Sequence, residues 1–226
     1  MAFAHSPKIV TDGLVLALDA GNPKSYPGSG TVWRDKSGNG LDATLTNGPT
    51  FSSDNGGIFT FDGSDDVCTS GNVLSDLVDL TLECWVKFGS QDSSYNGIIS
   101  KTLNNTDGWE LRTGSYTSTT TYVQFRYVGD NAATPFEILD NEVWYHIVGT
   151  GTSGAQKLYV DGVEVETSTS SATPSPNTNS LQIGALAYAT HLILTGDMAT
   201  AKIYNRALSA SEVQQNYNAL KGRFGL

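Results

Sequence analysis

The pair Asp161-Gly162 separates two short runs, 157–160 and 163–166, in which apolar and polar residues alternate. A two-residue turn of type I′ needs positive φ at both central positions, and Asp-Gly adopts it at low cost. Because strand side chains alternate between two faces, such a turn fixes the cross-strand pairs. The predicted pairs are Val160 with Val163, Leu158 with Val165, and Tyr159 with Glu164. The sequence therefore predicts a β-hairpin with its four valine and leucine side chains on one face.

Further strands are predicted wherever apolar residues alternate between turns rich in Gly, Asn, Asp and Ser. The clearest is 80–88, whose apolar face consists of Leu80, Leu82, Cys84, Val86 and Phe88. Residues 143–148 are apolar on both faces, which is typical of a strand inside a sheet. Other strands are predicted at 14–18, 43–46, 58–61, 98–103, 109–113, 122–128, 181–184 and 201–204. The polar stretch 167–180 is predicted to be a long loop.

One helix is predicted, near the end of the chain. Residues 209–212, Ser-Ala-Ser-Glu, match a capping box, in which the serine and the glutamate each bond the other's backbone N–H. An apolar stripe with the spacing i, i+4, i+7 follows, made by Val213, Tyr217 and Leu220. Gly222 is expected to end the helix.

About a dozen strands followed by one helix indicate an all-β fold. No strand alternates with a helix, so a doubly wound parallel sheet is excluded, and two packed antiparallel sheets are expected. A chain of 226 residues can bury one full core as a single domain. The predicted organisation is an N-terminal arm at 1–12, a β-sandwich at 13–208, and a helix and tail at 209–226 packed on the same domain.

The charge balance restricts the partners. The chain has 13 Lys and Arg against 23 Asp and Glu, a formal net charge of -10. Binding a nucleic-acid backbone needs a positive surface, so no nucleic-acid partner is expected, whereas cations and basic proteins stay open. Residues 1–8 have no apolar segment of the signal-peptide kind, and 14–18 is too short to cross a bilayer. We expect synthesis in the cytoplasm and no membrane insertion.

The two cysteines, Cys68 and Cys84, are too few for a disulfide framework. Cys84 lies on the apolar face of its predicted strand, so a buried free thiol is expected there. A bridge between Cys68 and Cys84 stays open at this point.

Six motifs carry a resemblance that covers most of the chain. They are Trp33-x-Asp35-x-Ser37-Gly38-Asn39-Gly40, Phe61-Asp62-Gly63-Ser64-Asp65-Asp66, Leu82-x-Cys84-Trp85-Val86-Lys87, Trp144-Tyr145-His146-Ile147-Val148, Leu158-Tyr159-Val160-Asp161-Gly162 and Ile203-Tyr204-Asn205-Arg206-Ala207-Leu208-Ser209-x-x-Glu212. In this order they resemble the laminin-G-like branch of the concanavalin A-like lectin/glucanase superfamily. The resemblance implies a curved jelly-roll sandwich. It does not fix a function, since this fold carries lectins, hydrolases, lyases and structural modules.

The two ends of the chain, 11–22 and 214–224, are similar to virion structural proteins of tailed phages. That similarity implies a protein that decorates a capsid or forms part of a fibre. It further implies a virion location, phage capsid or tail proteins as partners, and a homo-oligomer.

Catalytic patterns of the superfamily are not matched. Relatives that cut β-glucans use a Glu-x-Asp-x-Glu spacing, which points all the carboxylates into one groove. The nearest counterpart is Glu164-x-Glu166, with no third acid, and its first glutamate is already placed beside the hairpin turn. A lyase would need a histidine or tyrosine base. His146 alternates onto an apolar strand face and is expected in the core, and His5 and His191 stand apart from it.

Calcium is the metal that the residues could hold. Hard oxygen ligands are supplied by Asp35, Asn39, Asp62, Asp65 and Asp66. Many members of the family that the chain resembles also use acids in a closing-strand motif, where this chain has Ala199 and Thr200. The expectation is therefore that the aspartates 62–66 form a hydrogen-bonded turn, with no metal and no cofactor.

Sugar binding would use exposed aromatic rings flanked by amides and carboxylates. The candidate glycan-facing residues are Tyr116, Trp109, Tyr127 and Tyr188, with Asn104, Asn105, Asp107 and Asp130 near them in sequence. Trp109 and Tyr127 lie in strand-like runs, where aromatic residues more often belong to the core than to a binding surface. Tyr116, in a polar turn, is the strongest candidate for an exposed ring.

Three functions follow as expectations. The first is a non-enzymatic virion module that decorates a capsid or forms a fibre and adheres to glycans. The second is a carbohydrate-binding, lectin-like module. The third, disfavoured by the missing carboxylate array, is a polysaccharide hydrolase or lyase.

Overall fold

The computed structural model describes residues 7–90, 95–103, 107–115, 120–127, 137–169, 171, 173–188 and 192–226. Within these residues the chain forms sixteen strands, one α-helix and two short 3₁₀ turns. The strands are β1 (Leu14–Asp19), β2 (Val32–Trp33), β3 (Ala43–Thr46), β4 (Thr50–Ser52), β5 (Ile58–Asp62), β6 (Val67–Thr69), β7 (Leu80–Phe88), β8 (Gly97–Leu103), β9 (Asp107–Ser115), β10 (Thr120–Tyr127), β11 (Glu137–Asp140), β12 (Trp144–Thr152), β13 (Ala155–Val160), β14 (Val163–Ser168), β15 (Gln182–Ile183) and β16 (Thr195–Tyr204). The helix is α1 (Ala210–Leu220), and the 3₁₀ turns are Asp54–Gly56 and Lys221–Phe224.

The strands form two antiparallel sheets of eight strands each. The back sheet has the order β14-β13-β12-β7-β16-β5-β4, with β1 also paired to β16. The front sheet has the order β11-β10-β9-β8-β15-β6-β3-β2. Strands close in sequence are often distant in the sheets, as expected of a jelly-roll sandwich. The predicted all-β fold with one C-terminal helix is confirmed.

The core lies between the sheets and is filled by every second residue of their strands. The apolar face predicted for 80–88 is buried there, including Cys84, opposite residues such as Phe125 of the front sheet. Cys68 and Cys84 are both buried and both free, so the open alternative of a bridge between them is excluded. Burial raises the pKa of each thiol, because the uncharged form is favoured away from water.

The hairpin at 161–162 forms as predicted at its turn but not along its whole length. Asp161 and Gly162 have φ of 50° and 81°, and the pairs at the turn are Val160–Val163 and Tyr159–Glu164. Beyond them a β-bulge intervenes, so Leu158 faces Glu166 and the predicted Leu158–Val165 pair is wrong. The extra residue shifts the alternation beyond Glu164. Val163, between the turn and the bulge, is 60% exposed at the edge of the back sheet.

The helix begins as predicted and ends at Leu220, but the predicted stop at Gly222 is wrong in its geometry. Ser209 accepts from the Glu212 N–H and the full capping box is present. Gly222 does not end the helical region, because Lys221–Phe224 follow α1 as a 3₁₀ turn. The glycine that caps this turn in the left-handed conformation is Gly225, with φ of 77°. The continuation has a packing reason. It brings the Phe224 ring onto Trp85 of the back sheet, stacked at 4.2 Å between centroids.

Under the helix, the outer face of the back sheet holds a buried polar network centred on Glu83. Its carboxylate accepts from Lys202 Nζ at 2.6 Å and from Asn216 Nδ2 at 2.6 Å. The Nε2 atom of His146 lies 3.3 Å away, so this histidine is a core residue, as predicted. Burial opposes ionisation of Glu83, but Lys202 and His146 outweigh it and lower the pKa of the carboxyl.

Residues next to the chain start are attached to the same network. Val10 N donates to Asn216 Oδ1 at 2.7 Å, and the Tyr204 hydroxyl donates to Val10 O at 3.1 Å. Val10 is itself buried beside Tyr204. Among the helices that the structure describes, none is both long enough and apolar enough to cross a membrane.

Candidate functional site

The outer face of the front sheet carries a layer of polar side chains on β9 and β10. Trp109, Leu111, Phe125 and Tyr127 point into the core, so the residues between them point outward. The antiparallel register places Glu110 opposite Arg126, and Arg112 opposite Gln124. We call these four side chains, together with Thr102 of β8, the front cluster.

Hydrogen bonds join the front cluster through the carboxylate of Glu110. Its Oε1 atom forms ion pairs with Arg112 Nη1, at 3.0 Å, and with Arg126 Nη1, at 3.1 Å. Its Oε2 atom accepts from the Thr102 hydroxyl at 3.2 Å. Bonds between ionised groups are shorter and stronger than neutral ones, so this arrangement holds both arginines at fixed positions.

Arg112 is fixed on several sides. Its Nε and Nη2 atoms donate to Gln124 Oε1 at 3.0 and 2.8 Å. The guanidinium carbon lies 4.2 Å from the centroid of the Tyr95 ring, in cation–π geometry. The Tyr188 hydroxyl is near enough to Arg112 for the positive charge to oppose the rise that burial causes in the pKa of Tyr188. Burial lowers the pKa of Arg112, against the opposing effect of Glu110, but an arginine stays charged under all ordinary conditions.

Two loops bring tyrosines over the front cluster. Tyr95 stands just before β8, where Thr113 N donates to Asn96 O at 2.8 Å and Asn96 N donates to the Thr113 hydroxyl at 3.0 Å. The loop after β15 carries Tyr188, and this loop is tied to the sheet because Ala187 N donates to Ser100 Oγ at 3.1 Å. Tyr188 is half-buried, and burial raises the pKa of its hydroxyl, helped by the nearby Glu110 carboxylate.

Beside the front cluster lies a cavity of about 360 Å³. Tyr188 lines it on the side of the cluster, and the exposed carboxylate of Asp65 lines another part of its wall. The remaining lining residues are Asn47, Val67, Gln182, Ala185, Leu186, Ala187 and Ile193. Its volume falls within the range of small-ligand pockets, and its wall mixes apolar surface with a few polar groups.

The structure describes three of the four predicted glycan-facing residues, and these three lie in two different places. Tyr188 lies at the front cluster. Trp109 and Tyr127 are 1% and 0% exposed, because the alternation of β9 and β10 turns them into the core, so their expected role as sugar-stacking rings is corrected. Tyr116 lies outside the described residues.

The sequence prediction missed Tyr95, Arg112 and Arg126. A signal for the arginines was present in the sequence. Once Trp109 and Tyr127 are assigned to the core, alternation places Glu110, Arg112 and Arg126 on the opposite face. Tyr95 stands in a short polar turn between strands, which is the same signal that singled out Tyr116.

The aspartates considered for calcium form a turn. Carboxylate oxygens of Asp62, Asp65 and Asp66 lie within 4.8 Å of one another. Asp62 Oδ1 accepts from the N–H of Ser64 at 2.8 Å, and Asp66 Oδ2 accepts from the N–H of Asp62 at 3.0 Å, as predicted for a hydrogen-bonded turn. The Ser64 N–H lowers the pKa of Asp62, whereas burial raises that of Asp66.

Asp35 belongs to a separate turn. Its Oδ1 atom accepts from Ala17 N at 2.9 Å and from Ser37 N at 2.8 Å, and its Oδ2 accepts from Leu41 N at 3.2 Å. Burial opposes ionisation, but these hydrogen bonds together outweigh it and lower the pKa of Asp35. The motif from Trp33 to Gly40 therefore ties a loop to β1.

The acids on β14 are solvated surface groups. Glu164 accepts from Lys157 Nζ at 2.8 Å, and both side chains keep more than a third of their surface exposed. Glu164 faces Tyr159, as predicted, at the edge of the back sheet. The pair Glu164-x-Glu166 is therefore far from the front cluster, in the other sheet.

The fold and its outward polar face define a jelly-roll β-sandwich of the lectin type. Residues 61–214 match the family model described as the concanavalin A-like lectin/glucanases superfamily, and the chain belongs to this superfamily. No curated protein sequence matches the chain.

Solved structures with the same fold include binding domains of botulinum neurotoxins. The botulinum neurotoxin serotype D binding domain has a TM-score of 0.65 at 15% identity over 92% of this chain and 52% of that chain. The binding domain of botulinum neurotoxin DC in complex with SialylT has a TM-score of 0.66 at 13% identity, over 93% and 52%. This chain spans about half the length of these toxin domains.

Domain 4 of AbnA, a GH43 extracellular arabinanase from Geobacillus stearothermophilus, was solved in complex with arabinotriose. It has a TM-score of 0.65 at 17% identity, over 90% of this chain and 98% of that chain. At this identity the likeness establishes the fold, and it shows that a whole domain of this size can consist of the sandwich alone.

Proposed function

We propose that this chain is a non-enzymatic binding module whose ligand is a glycan held on the outer face of the front sheet. The observation that carries the proposal is the front cluster itself. Its charged side chains are fixed by mutual hydrogen bonds beneath Tyr95 and Tyr188, next to a cavity of about 360 Å³.

The chemistry of this face suits a sugar. Guanidinium, amide and hydroxyl groups bond sugar hydroxyls, and aromatic rings cover the apolar face of a pyranose. Tyr95 is 36% exposed and Tyr188 is half-buried, so both rings keep surface for such contacts. Because the polar groups are already held in place, a ligand need not order them on binding. That arabinanase domain 4 was solved with arabinotriose supports a glycan on this fold.

A binding role fits the front cluster better than hydrolysis. A glycosidase needs two carboxyl groups about 5–9.5 Å apart on either side of the scissile bond. In the front cluster the carboxylate is Glu110, which is fully buried and bonded to two arginines. We therefore expect neither new reducing ends nor unsaturated uronates when the protein is incubated with a polysaccharide panel.

Substitution of the two tyrosines tests the assignment of the face. We expect Tyr188→Ala and Tyr95→Ala each to weaken glycan binding about three- to tenfold, because each removes a ring contact worth about 0.5–1.5 kcal/mol. The measurement is a glycan array followed by calorimetric titration of each positive ligand.

Glu164→Gln, an exposed change on the back sheet, is the control and should bind as the unmodified protein does. Thermal unfolding of all variants separates lost binding from lost folding. If no glycan on the array binds, or if the tyrosine variants bind as well as the control, the proposal fails.

We further propose that the module is carried on a tailed-phage virion, as a capsid decoration or fibre protein that is made in the host cytoplasm. The support is the similarity of residues 11–22 and 214–224 to virion proteins, together with their position. Gln215 Nε2 donates to Lys8 O at 2.7 Å, and Arg223 Nη1 donates to Asp19 Oδ1 at 2.8 Å. Both ends thus meet on the back sheet, opposite the front cluster.

Attachment to capsid or tail proteins through that side would leave the glycan-binding face directed outward. Mass spectrometry of purified virions should find this chain at high copy number, and light scattering of the isolated protein should find a homo-oligomer. Recovery of the chain only as a free protein, absent from virions, would contradict the virion role and leave the glycan-binding proposal standing.

A further inference from the structure

The cavity and the front cluster belong to one continuous stretch of the outer face. The register pairs Gln182 of β15 with Ser100 of β8, and Ser100 with Glu110 of β9. Ile183 is a core residue, so its neighbour Gln182 points outward, as Glu110 does. Two strand spacings, about 10 Å, separate Gln182 from Glu110. A glycan lying on this face can therefore contact the cavity and the front cluster together.

Two polar side chains of the cavity wall make no hydrogen bond to any other residue that the structure describes. They are the carboxylate of Asp65 and the carboxamide of Gln182. The Asp65 backbone is nevertheless fixed, because Asn47 Nδ2 donates to Asp65 O at 2.9 Å and Asp65 N donates to Asp62 Oδ1 at 3.4 Å. Both side chains are therefore available to a ligand, and Asp65 presents its carboxylate from a fixed backbone.

The end of the cavity at Asp65 is rich in hydrogen-bond acceptors. Carboxylate oxygens of Asp62, Asp65 and Asp66 lie within 4.8 Å of one another. Burial raises the pKa of Asp66, and the charges of Asp62 and Asp65 raise it further. All 13 lysines and arginines of the chain belong to the described residues, and none of them lines the cavity. A ligand at this end should therefore donate hydrogen bonds and carry no negative charge.

Much of the remaining cavity wall is apolar. Its lining residues include Val67, Ala185, Leu186, Tyr188 and Ile193. A β-bridge joins Ala185 to Ile193 and holds this part of the wall in place. A sugar ring carries apolar C–H groups on its faces and hydroxyls around its edge, so it suits such a wall. A bare metal ion would make no use of the apolar surface, since its ligands are oxygens.

We propose that the cavity binds a neutral sugar unit through two adjacent hydroxyls, both of which donate to the Asp65 carboxylate, while the Gln182 carboxamide bonds a further hydroxyl. A carboxylate can accept both hydrogens of such a pair, because it has two oxygens with free lone pairs. Bonds to an ionised acceptor are about twice as strong as neutral ones. This inference rests on the proposed glycan-binding function and names the class of sugar that the same site selects.

Removal of single hydroxyls from the ligand tests the proposal. The probes are a panel of neutral trisaccharides, arabinotriose among them, and the monodeoxy derivatives of each one that binds. Every derivative keeps its sugar rings intact, so a change in dissociation constant reports on one hydroxyl. By calorimetric titration we expect two adjacent positions on one ring to weaken binding about tenfold or more when either is removed.

Substitution of the acceptor identifies the partner of those hydroxyls. Asp65→Asn should bind the parent sugar about tenfold or more weakly and should bind the two critical deoxy derivatives almost as well as the parent. Gln182→Ala should weaken binding about three- to tenfold. Asp54→Asn is the matched control, because Asp54 is an exposed aspartate that does not line the cavity. If Asp65→Asn does not fold, the deoxy series on the unmodified protein decides.

The outcomes separate this inference from the proposed function. A glycan that binds with no adjacent pair of critical hydroxyls, or as tightly to folded Asp65→Asn as to the control, overturns the inference and leaves glycan binding intact. Binding of acidic glycans alone does the same. Loss of binding in EDTA overturns direct contact between the carboxylate and the hydroxyls. Failure of every glycan to bind overturns both the inference and the proposed function.

Discussion

Two glycines of β12 allow the sheets to approach closely behind the front cluster. A Cβ atom added at Gly149 would lie 2.4 Å from Phe125, and one added at Gly151 would lie 2.4 Å from Tyr127. Both aromatic residues belong to β10, the strand that also carries Gln124 and Arg126 on its opposite face. Because Gly149 and Gly151 have no side chains, β10 and its arginine lie closer to the back sheet than larger residues would allow.

We expect Gly149→Ala to destabilise the protein by about 1–3 kcal/mol, the usual cost of overfilling a packed core. Gly222→Ala is the matched control. It lies in the 3₁₀ turn with no atom within 4 Å of the added Cβ and without positive φ, so it should be neutral or slightly stabilising. Chemical unfolding of both variants gives the comparison, and equal stability of the two would contradict the close approach of the sheets.

At the level of single residues, the sequence predicted aromatic rings at a binding face, but it predicted only one of the two tyrosines that lie there. The sequence places Trp109 and Tyr127 on strands but does not say which strand face is inside, and aromatic rings serve both cores and sugar sites. Tyr188, predicted on similar grounds, lies beside the front cluster. The contact of Arg112 with Tyr95 and Tyr188 was not predictable, because it needs three segments that only the sheet topology brings together.

At the level of elements, the sequence predicted correctly those turns and helix caps that depend on neighbouring residues alone. The capping box at Ser209 and Glu212 and the turn at Asp161-Gly162 were predicted correctly, because each depends on contacts between residues a few positions apart. The bulge in the hairpin and the 3₁₀ turn that follows the helix as far as Phe224 were not predicted. Both are decided by tertiary packing, such as the stacking of Phe224 on Trp85.

The start of α1 should make stability depend on pH. A hydrogen bond from Arg206 and further bonds from Ser209 lower the pKa of Glu212 to about 2, from an ordinary value of 4.5. A carboxyl whose pKa is lowered by folding stabilises the folded state above its ordinary pKa. That contribution is lost as the pH falls from about 4.5 to about 2.

Glu212→Gln removes this contribution, so its stability relative to the unmodified protein should be lowest near neutral pH and should recover in acid. Urea unfolding at several pH values measures the difference. Glu164→Gln, which removes a carboxylate from an exposed ion pair elsewhere, is the control. A constant difference between Glu212→Gln and the unmodified protein at every pH would contradict the cap's role.

At the level of the whole molecule, the two sheets have different outer faces. The back sheet is covered by α1 and by the residues near both ends, which enclose Glu83, Lys202 and Asn216 in a buried network. The front sheet instead presents the front cluster beside a cavity. This division is the ground for proposing that the front sheet binds the glycan and that the back sheet carries the attachment.

The central claim is that a glycan binds on the front sheet's outer face. It is tested most directly by nuclear magnetic resonance titration of the isotope-labelled protein with the glycan selected on the array. We predict that shift changes concentrate at Tyr95, Arg112, Arg126 and Tyr188. Changes confined to α1 and the back sheet, with these four residues unaffected, would contradict the account.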